Sequence, residues 1–164
     1  QFEIMKERLI YHCCKTNILT DCKGEIEKAT IDDIDELSKM SYQYHLDEFG
    51  KYAQRDLKYM TNIVVKGIEN GNLYKLRVNN KISSMAQVIS EDHIAPLIGQ
   101  LYTKKELRNK GYATSILYLL TNKLLNDGHK KCGLLSDLNN SSSNAVFRKV
   151  GYRDFYNQLA VWLD

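Results

Sequence analysis

Hydrophobic and polar positions change their period along this chain, and the changes mark out its elements. Glu25 to Ala29 alternates, with Ile26 on one side and Glu27 on the other, and reads as a strand. Thr30 offers an N-cap with Asp33 three residues on, a short version of the capping box. Ile34, Leu37, Met40, Ser41 and Tyr44 then follow at helical spacing until Gly50. A second helical stretch carries Leu57, Met60, Val64 and Ile68 and closes at Asn70-Gly71. Leu73 to Val78 and Lys81 to Ile89 alternate around Asn79-Asn80; asparagine tolerates positive φ, so a tight hairpin is expected. Residues 94–103 form an apolar stretch with a central Gly99, where a glycine marks a bulge or a close backbone approach. The clearest helix follows Gly111, with Ala113, Ile116, Leu117, Leu120 and Leu124 on one stripe and Asp127-Gly128 at its end. Leu134 to Leu138 reads as a buried strand, Asn139 to Ser143 as a polar loop, and Asn144 to Val150 as a short helix stopped by Gly151. Two final strands are expected over 152–157 and 158–163.

From residue 24 the order is β-α-α-β-β-β-α-β-α-β-β. The strand, long helix and strand over 98–138 form a crossover unit, which requires parallel pairing and a right-handed connection. With the antiparallel hairpin at 73–89, the fold class is α/β: a mixed sheet with helices on both faces. Residues 1–23 do not share this regularity. Ile4, Met5, Leu9, Ile10 and His12 give a weak amphipathic pattern that suits a short helix or a strand, and Gly24 breaks it. The chain therefore divides into an extension over 1–23, read as the end of a preceding domain, and one domain over 24–164. Gln1 stands where a methionine would begin a protein, so the expectation is a start inside a longer polypeptide or after a removed tag.

A length of 164 residues is enough for a real core without staples. The net charge of +3 comes from basic residues interleaved with acidic ones, with no basic face or stripe, so nucleic acid is not an expected partner. No apolar run reaches membrane-spanning length, and no signal peptide opens the chain, so no membrane association is expected. Cys13, Cys14, Cys22 and Cys132 form no CxxC pair and have no histidine at zinc-ligand spacing. They read as free thiols of a reduced, cytoplasmic protein without a metal.

The chemistry concentrates in Arg108-Asn109-Lys110-Gly111-Tyr112-Ala113, after a strand and at the opening of the long helix. The first turn of a helix carries N–H groups without intrahelical partners and a partial positive charge. Gly111 removes a side chain where a ligand would approach, Ala113 keeps the next turn small, and Arg108 and Lys110 add charge. This is an anion cradle suited to a pyrophosphate. Neither GxxxxGK[ST] nor GxGxxG is present, which removes the P-loop and the dinucleotide fingerprint. An ordinary strand-to-helix turn with solvated basic residues is the alternative.

Ile98-Gly99-Gln100-Leu101-Tyr102-Thr103 before the cradle and the long helix after it resemble the GNAT superfamily of acyl-CoA-dependent N-acyltransferases. Arg108, Gly111 and Ala113 meet its R/Q-x-x-G-x-G/A signature. Ser136 to Asn144 and Phe147-Arg148-Lys149-Val150-Gly151-Tyr152 resemble its second motif. The resemblance covers residues 24–164 and is strongest over 98–152. It implies the GNAT fold, a mostly antiparallel sheet in which one parallel strand pair is splayed open. It implies that acetyl-CoA is the donor substrate. Backbone groups of Leu101 and Thr103, flanking Tyr102, would pair with the pantetheine arm. The N–H groups of Asn109, Lys110, Gly111, Tyr112, Ala113 and Thr114, with Arg108 lining the turn, would hold the pyrophosphate. Asn140 and Asn144 would meet the pantetheine from the other side, and the N–H near Leu101 would polarise the thioester carbonyl. Residues 1–23 would be dispensable for this binding, though not for solubility.

Many family members carry a tyrosine four residues before the glycine of the second motif, where it protonates the leaving thiolate. Here that residue is Phe147, so the catalytic acid is unassigned. Glu91, Asp92 and His93 after the third strand, and His45, Asp47 and Glu48 at the end of the first helix, are candidates for proton handling, against their reading as solvated polar positions. A covalent route through Cys132 lacks a visible histidine partner. The expected reaction is direct attack by a primary amine of a small molecule or peptide on the thioester. The alternatives are a weakly active acyl-CoA-binding or regulatory module, or a partner domain of a larger acyltransferase. A homodimer stays open.

Overall fold

The computed structural model describes residues 2–90 and 95–163. Its strands are β1 (Phe2–Cys13), β2 (Glu25–Lys28), β3 (Leu73–Val78), β4 (Lys81–Ser90), β5 (Leu97–Thr103), β6 (Cys132–Asp137) and β7 (Arg153–Leu163). Its helices are α1 (Ile34–Phe49), α2 (Leu57–Glu69), α3 (Tyr112–Asn126) and α4 (Ser141–Val150). Among the described residues the strands form one seven-stranded sheet in the order β2-β3-β4-β5-β6-β1-β7. Every neighbouring pair is antiparallel except β5 and β6, which the α3 crossover joins in parallel. No helix among the described residues is long and apolar enough to cross a membrane.

The two faces of the sheet carry separate cores. On one, α3 buries Ile116, Leu117, Leu120 and Leu124 and α4 buries Phe147 and Val150 against Tyr11, Leu76 and Leu134. On the other, Leu37 and Met40 of α1 and Val64 of α2 pack on Leu73, Ile82 and Met85. The hairpin forms as expected: Asn79 and Asn80 both take positive φ, 49° and 59°, the conformation of a two-residue turn that matches strand twist.

Residues 1–23 are corrected by the structure. They are not an appendage, because β1 lies inside the sheet, between β6 and β7, with Arg8 opposite Asp137 and Cys13 opposite Cys132. Leu9, Tyr11 and Cys13 are buried while the residues between them are half-exposed, the period-two signature of a strand with one face in the core. The following stretch straps the molecule. The Asn17 N–H donates to the Val150 carbonyl at the end of α4, and the Thr16 hydroxyl donates to Asn122 on α3. Two further boundaries move. The expected final pair of strands is the single β7, since β1 offers a partner along its length. The expected loop over 139–143 already contains the first turn of α4, because the Asn140 side chain caps it by accepting from the Ser143 N–H at 3.1 Å.

Asp33 ties α1 to the sheet. Its carboxylate accepts from the Thr30 N–H at 2.7 Å and from Lys75 Nζ at 2.6 Å, with both charged side chains at least nine-tenths buried. Burial alone would raise the Asp33 pKa, but Lys75 and the Thr30 donors outweigh it and hold it below the ordinary value.

Two outcomes follow from this architecture. A chain beginning at Gly24 loses an inner strand and should show no cooperative thermal transition; a folded, melting 24–164 chain would contradict the placement of β1. Lys75→Met should cost about 3–5 kcal/mol at neutral pH, since it strands a buried carboxylate. A lowered carboxylate pKa contributes stability above its unfolded value, near ~3.9, that is lost as pH falls through the folded value. The deficit of Lys75→Met against wild type should therefore shrink below about pH 4, read by chemical denaturation across pH.

Candidate active site

The site begins with one irregularity in β5. Met85 pairs with Tyr102 and Gln87 with Gly99, so two steps along β4 oppose three along β5. The extra residue makes a bulge, at which Gln100 takes a left-handed φ of 48°. Its side chain is fixed from two sides: Ser41 Oγ of α1 donates to Gln100 Oε1 at 2.5 Å, and Gln100 Nε2 donates to Gln87 Oε1 at 2.6 Å. Gln87 in turn donates to Asn72 at 3.2 Å. The parallel pairing of β5 with β6 covers Leu97–Gly133 and Ile98–Leu134 and goes no further, so the strands part at the bulge.

The gap between them opens into a cleft of about 700 Å³, within the range of small-molecule sites. One wall holds Leu101, Tyr102, Thr103, Arg108, Asn109, Gly111, Tyr112, Ala113 and Thr114, and the facing wall holds Asn140, Ser143, Val146 and Phe147. Tyr44, Asp47 and Glu48 at the end of α1 close one side. The cleft narrows into a recess between the strands, lined by Tyr44, Glu48, Gln100, Ser136, Asp137 and Phe147 among others.

The cradle lies at the mouth. Gly111 has φ of 81°, a conformation that suits glycine, and a Cβ placed there would meet no atom within 4 Å. It therefore faces open space beside the first-turn N–H groups of α3. Arg108 is partly engaged: Nε donates to the Thr103 carbonyl at 3.1 Å, a terminal nitrogen pairs with Asp47 at 3.2 Å, and the guanidinium lies 5.2 Å from the centre of the Tyr102 ring. The pairing pins α1 to the cradle.

Two expected contacts fall elsewhere. Asn144 does not line the cleft. It is buried, its Nδ2 donates to the carbonyls of Asp137 and Leu138 at 3.1 Å each, and its Oδ1 accepts from the Tyr11 hydroxyl at 3.0 Å. That amide closes the end of β6, which explains why a helix N-terminal asparagine is needed there without a ligand. Lys110 is also off the wall, and its carbonyl accepts from Lys23 Nζ at 3.1 Å. Lys23 itself was not legible as part of this region; its backbone N–H donates to Ser115 Oγ on the first turn of α3, a contact 92 residues apart in the chain.

The proton-handling candidates separate. Glu91, Asp92 and His93 lie outside the described residues. His45 is buried away from the cleft, where Nε2 accepts from the Arg55 N–H at 3.2 Å and the ring lies 5.0 Å from Phe49. Burial, with help from the Arg55 charge, lowers its pKa and keeps it a neutral acceptor. Asp47 and Glu48 stay on the cleft wall. Cys132 is buried and its thiol is pushed up to about 12, chiefly by burial, which leaves no nucleophilic thiolate there. Phe147 lines the cleft and lies against Tyr11, ring centres 5.5 Å apart, in an edge-on contact.

A mixed sheet splayed beside a glycine-opened helix N-terminus is the architecture of the GNAT superfamily, and this chain has that fold. The sequence model described as FR47-like protein matches residues 75–162, and the chain belongs to that family. None of the curated proteins matches it in sequence. Among solved structures it resembles a GNAT-family acetyltransferase from Colwellia psychrerythraea (TM-score 0.73, 14% identity, covering 98% of this chain and 56% of that one). It also resembles a GCN5-related N-acetyltransferase from Sphaerobacter thermophilus (TM-score 0.72, 10% identity, 98% and 51%). A predicted acetyltransferase from Clostridium acetobutylicum, solved with acetyl-CoA, aligns at TM-score 0.63 and 24% identity, over 80% of this chain and 90% of that one. The chain thus spans about half the length of the first two.

Because Asn144 holds strand ends together, Asn144→Ala should lower stability by about 2–3 kcal/mol, from buried carbonyls left without donors. Chemical denaturation of both proteins reads the loss as a lower midpoint at unchanged slope. An unchanged midpoint would overturn this structural role.

Proposed function

We propose that this chain is an acetyl-CoA-dependent N-acetyltransferase acting on a primary amine by direct attack in a ternary complex. The observation that carries the reading is the cleft itself: a bulge-opened strand edge running into a helix N-terminus whose Gly111 presents open space to a ligand. Pyrophosphate oxygens would accept from the first-turn N–H groups of α3, with Arg108 beside them and Asn109 turning the chain at φ of 62°. The β5 edge from Gln100 to Thr103, no longer paired with β6, would meet the amide-bearing arm of the donor as an added strand would. Asn140 and Phe147 face it from α4. A fixed backbone donor near Leu101, aimed at the thioester oxygen, would stabilise charge that appears only as the amine attacks.

The acceptor is a small-molecule or peptide amine, and it would enter beside Glu48 and Asp137, carboxylates that favour an approaching ammonium. We place the protein in the cytoplasm, working without a metal, a membrane or nucleic acid, and leave a homodimer open. Phe147 is the one feature that favours a second reading, a domain that binds the acyl donor without transferring it.

Coenzyme A and acetyl-CoA should each raise the melting temperature, since a ligand at ~100 times its dissociation constant adds about 2.7 kcal/mol. Gly111→Val should abolish that shift by filling the cradle, whatever it costs the free protein. Release of free thiol from acetyl-CoA across a panel of primary amines, with mass spectrometry of the products, separates the two readings. Turnover with any amine supports transfer; binding without turnover across the panel supports the binding domain. An equal thermal shift in wild type and Gly111→Val would remove the cradle from the site.

A further inference from the structure

A donor held by its phosphate end at the mouth of the cleft must carry its acyl end inward. The β5 edge that has left β6 runs from Thr103 back to Gln100, and beyond it the space narrows to a recess of about 60 Å³ between the two strands. We propose that this recess is an acyl pocket that acts as a length ruler: it takes acetyl and propionyl groups and excludes long acyl chains, with Leu117, Leu134 and Ser136 setting the limit. The assignment rests on the reading of the cleft as an acetyl-CoA site and adds to it the class of acyl group.

The two faces of the sheet give the recess two unlike walls. Side chains alternate along a strand, so Leu134 and Ser136 of β6 share one face and Leu135 and Asp137 the other. Leu134 lies opposite Tyr11 and Ser136 opposite Leu9, and both partners belong to the core beneath α3 and α4. On that face the recess meets Ile98, Leu117, Leu134 and Phe147, all buried and all without a polar side-chain atom. On the other face it meets Asp137, with Tyr44 and Glu48 arriving from α1. An acyl chain gains by leaving water for the first wall, and an ammonium gains from the carboxylates of the second. The recess thus sorts the two reactants by polarity.

The sheet itself closes the floor. Ile98 and Leu134 are the last paired residues before the strands part, and Leu117 of α3 is fully buried behind them. Gln100 at the bulge stands two residues beyond Ile98, so the depth along the strand is about 6–7 Å. Carbon atoms keep about 3.5–4.0 Å from one another, which leaves roughly 3 Å for chain beyond the carbonyl. One or two carbons fit there. The volume agrees, since about 60 Å³ holds only a few groups of the size of a water molecule.

Ser136 keeps the recess open by being small. It is 6% exposed, and its hydroxyl turns to the adjacent Asp137 carbonyl at 3.3 Å. The width at that level is therefore set by the size of the side chain, and a branched aliphatic residue would take up the space of the outer carbon.

Affinities for acetyl-, propionyl- and hexanoyl-CoA read the ruler without any acceptor. They are measured by titration calorimetry on wild type, Leu117→Ala and Ser136→Val, with free coenzyme A as reference. In wild type, propionyl should bind about fourfold more tightly than acetyl, the gain of one buried methylene, and hexanoyl at least tenfold more weakly than propionyl. Leu117→Ala lowers the floor and should raise hexanoyl relative to acetyl by about tenfold. Ser136→Val narrows the recess and should bring the propionyl-to-acetyl ratio below one. Wild-type affinities within twofold of one another across the series, or rising steadily to hexanoyl, overturn the ruler alone, as do unchanged ratios in both variants. Absence of coenzyme A binding to wild type overturns the acetyl-CoA reading beneath it. Should Leu117→Ala fail to fold, Ser136→Val decides, because valine suits a strand.

Discussion

The bulge at Gln100 is the constraint on which the rest of the molecule turns. Two parallel strands joined by a helix would ordinarily pair along their full length and leave no cleft. Here a single extra residue in β5 forces a non-glycine residue into a left-handed conformation, a cost of about 1–3 kcal/mol that persists only where the surroundings over-determine it. The chain Ser41, Gln100, Gln87 and Asn72 does so, with three side-chain hydrogen bonds spanning α1, β5, β4 and the turn before β3. Buried polar chains of this kind specify one arrangement because each member would be stranded in any other.

The same bulge links parts that are far apart in the sequence. It parts β5 from β6, which opens the cleft, and it holds α1 through Ser41, which sets the cleft's side wall. Arg108 completes the coupling by pairing with Asp47 at the other end of that wall. The arginine of the cradle is thus also a strut between α3's leading turn and α1. Its charge is shared with Asp47.

Local pattern was a good guide wherever one element decides its own form. The hairpin at Asn79-Asn80, the stripe of α3 and the cradle at Gly111 were legible because turn chemistry and helical period act over a few residues. The parallel pair followed from a crossover of known handedness. Asn144 misled because an asparagine in the first turn of α4 serves a ligand or a strand end equally well, and only Asp137, Leu138 and Tyr11 around it show which. His45 misled in the same way, since its partner, the Arg55 backbone, lies across a turn.

The sequence by itself determined the helices, the hairpin and the glycine-opened turn before α3, because these depend on neighbours a few positions away. Only the tertiary structure decided that residues 2–13 form an inner strand, since Leu9, Tyr11 and Cys13 alternate too briefly to name a partner and their partners lie more than a hundred residues on. It alone brought Lys23 to Ser115 and Arg108 to Asp47. A side chain's chemistry is written in its residue type, but what it faces is set by the packing of elements that meet only when the whole sheet closes.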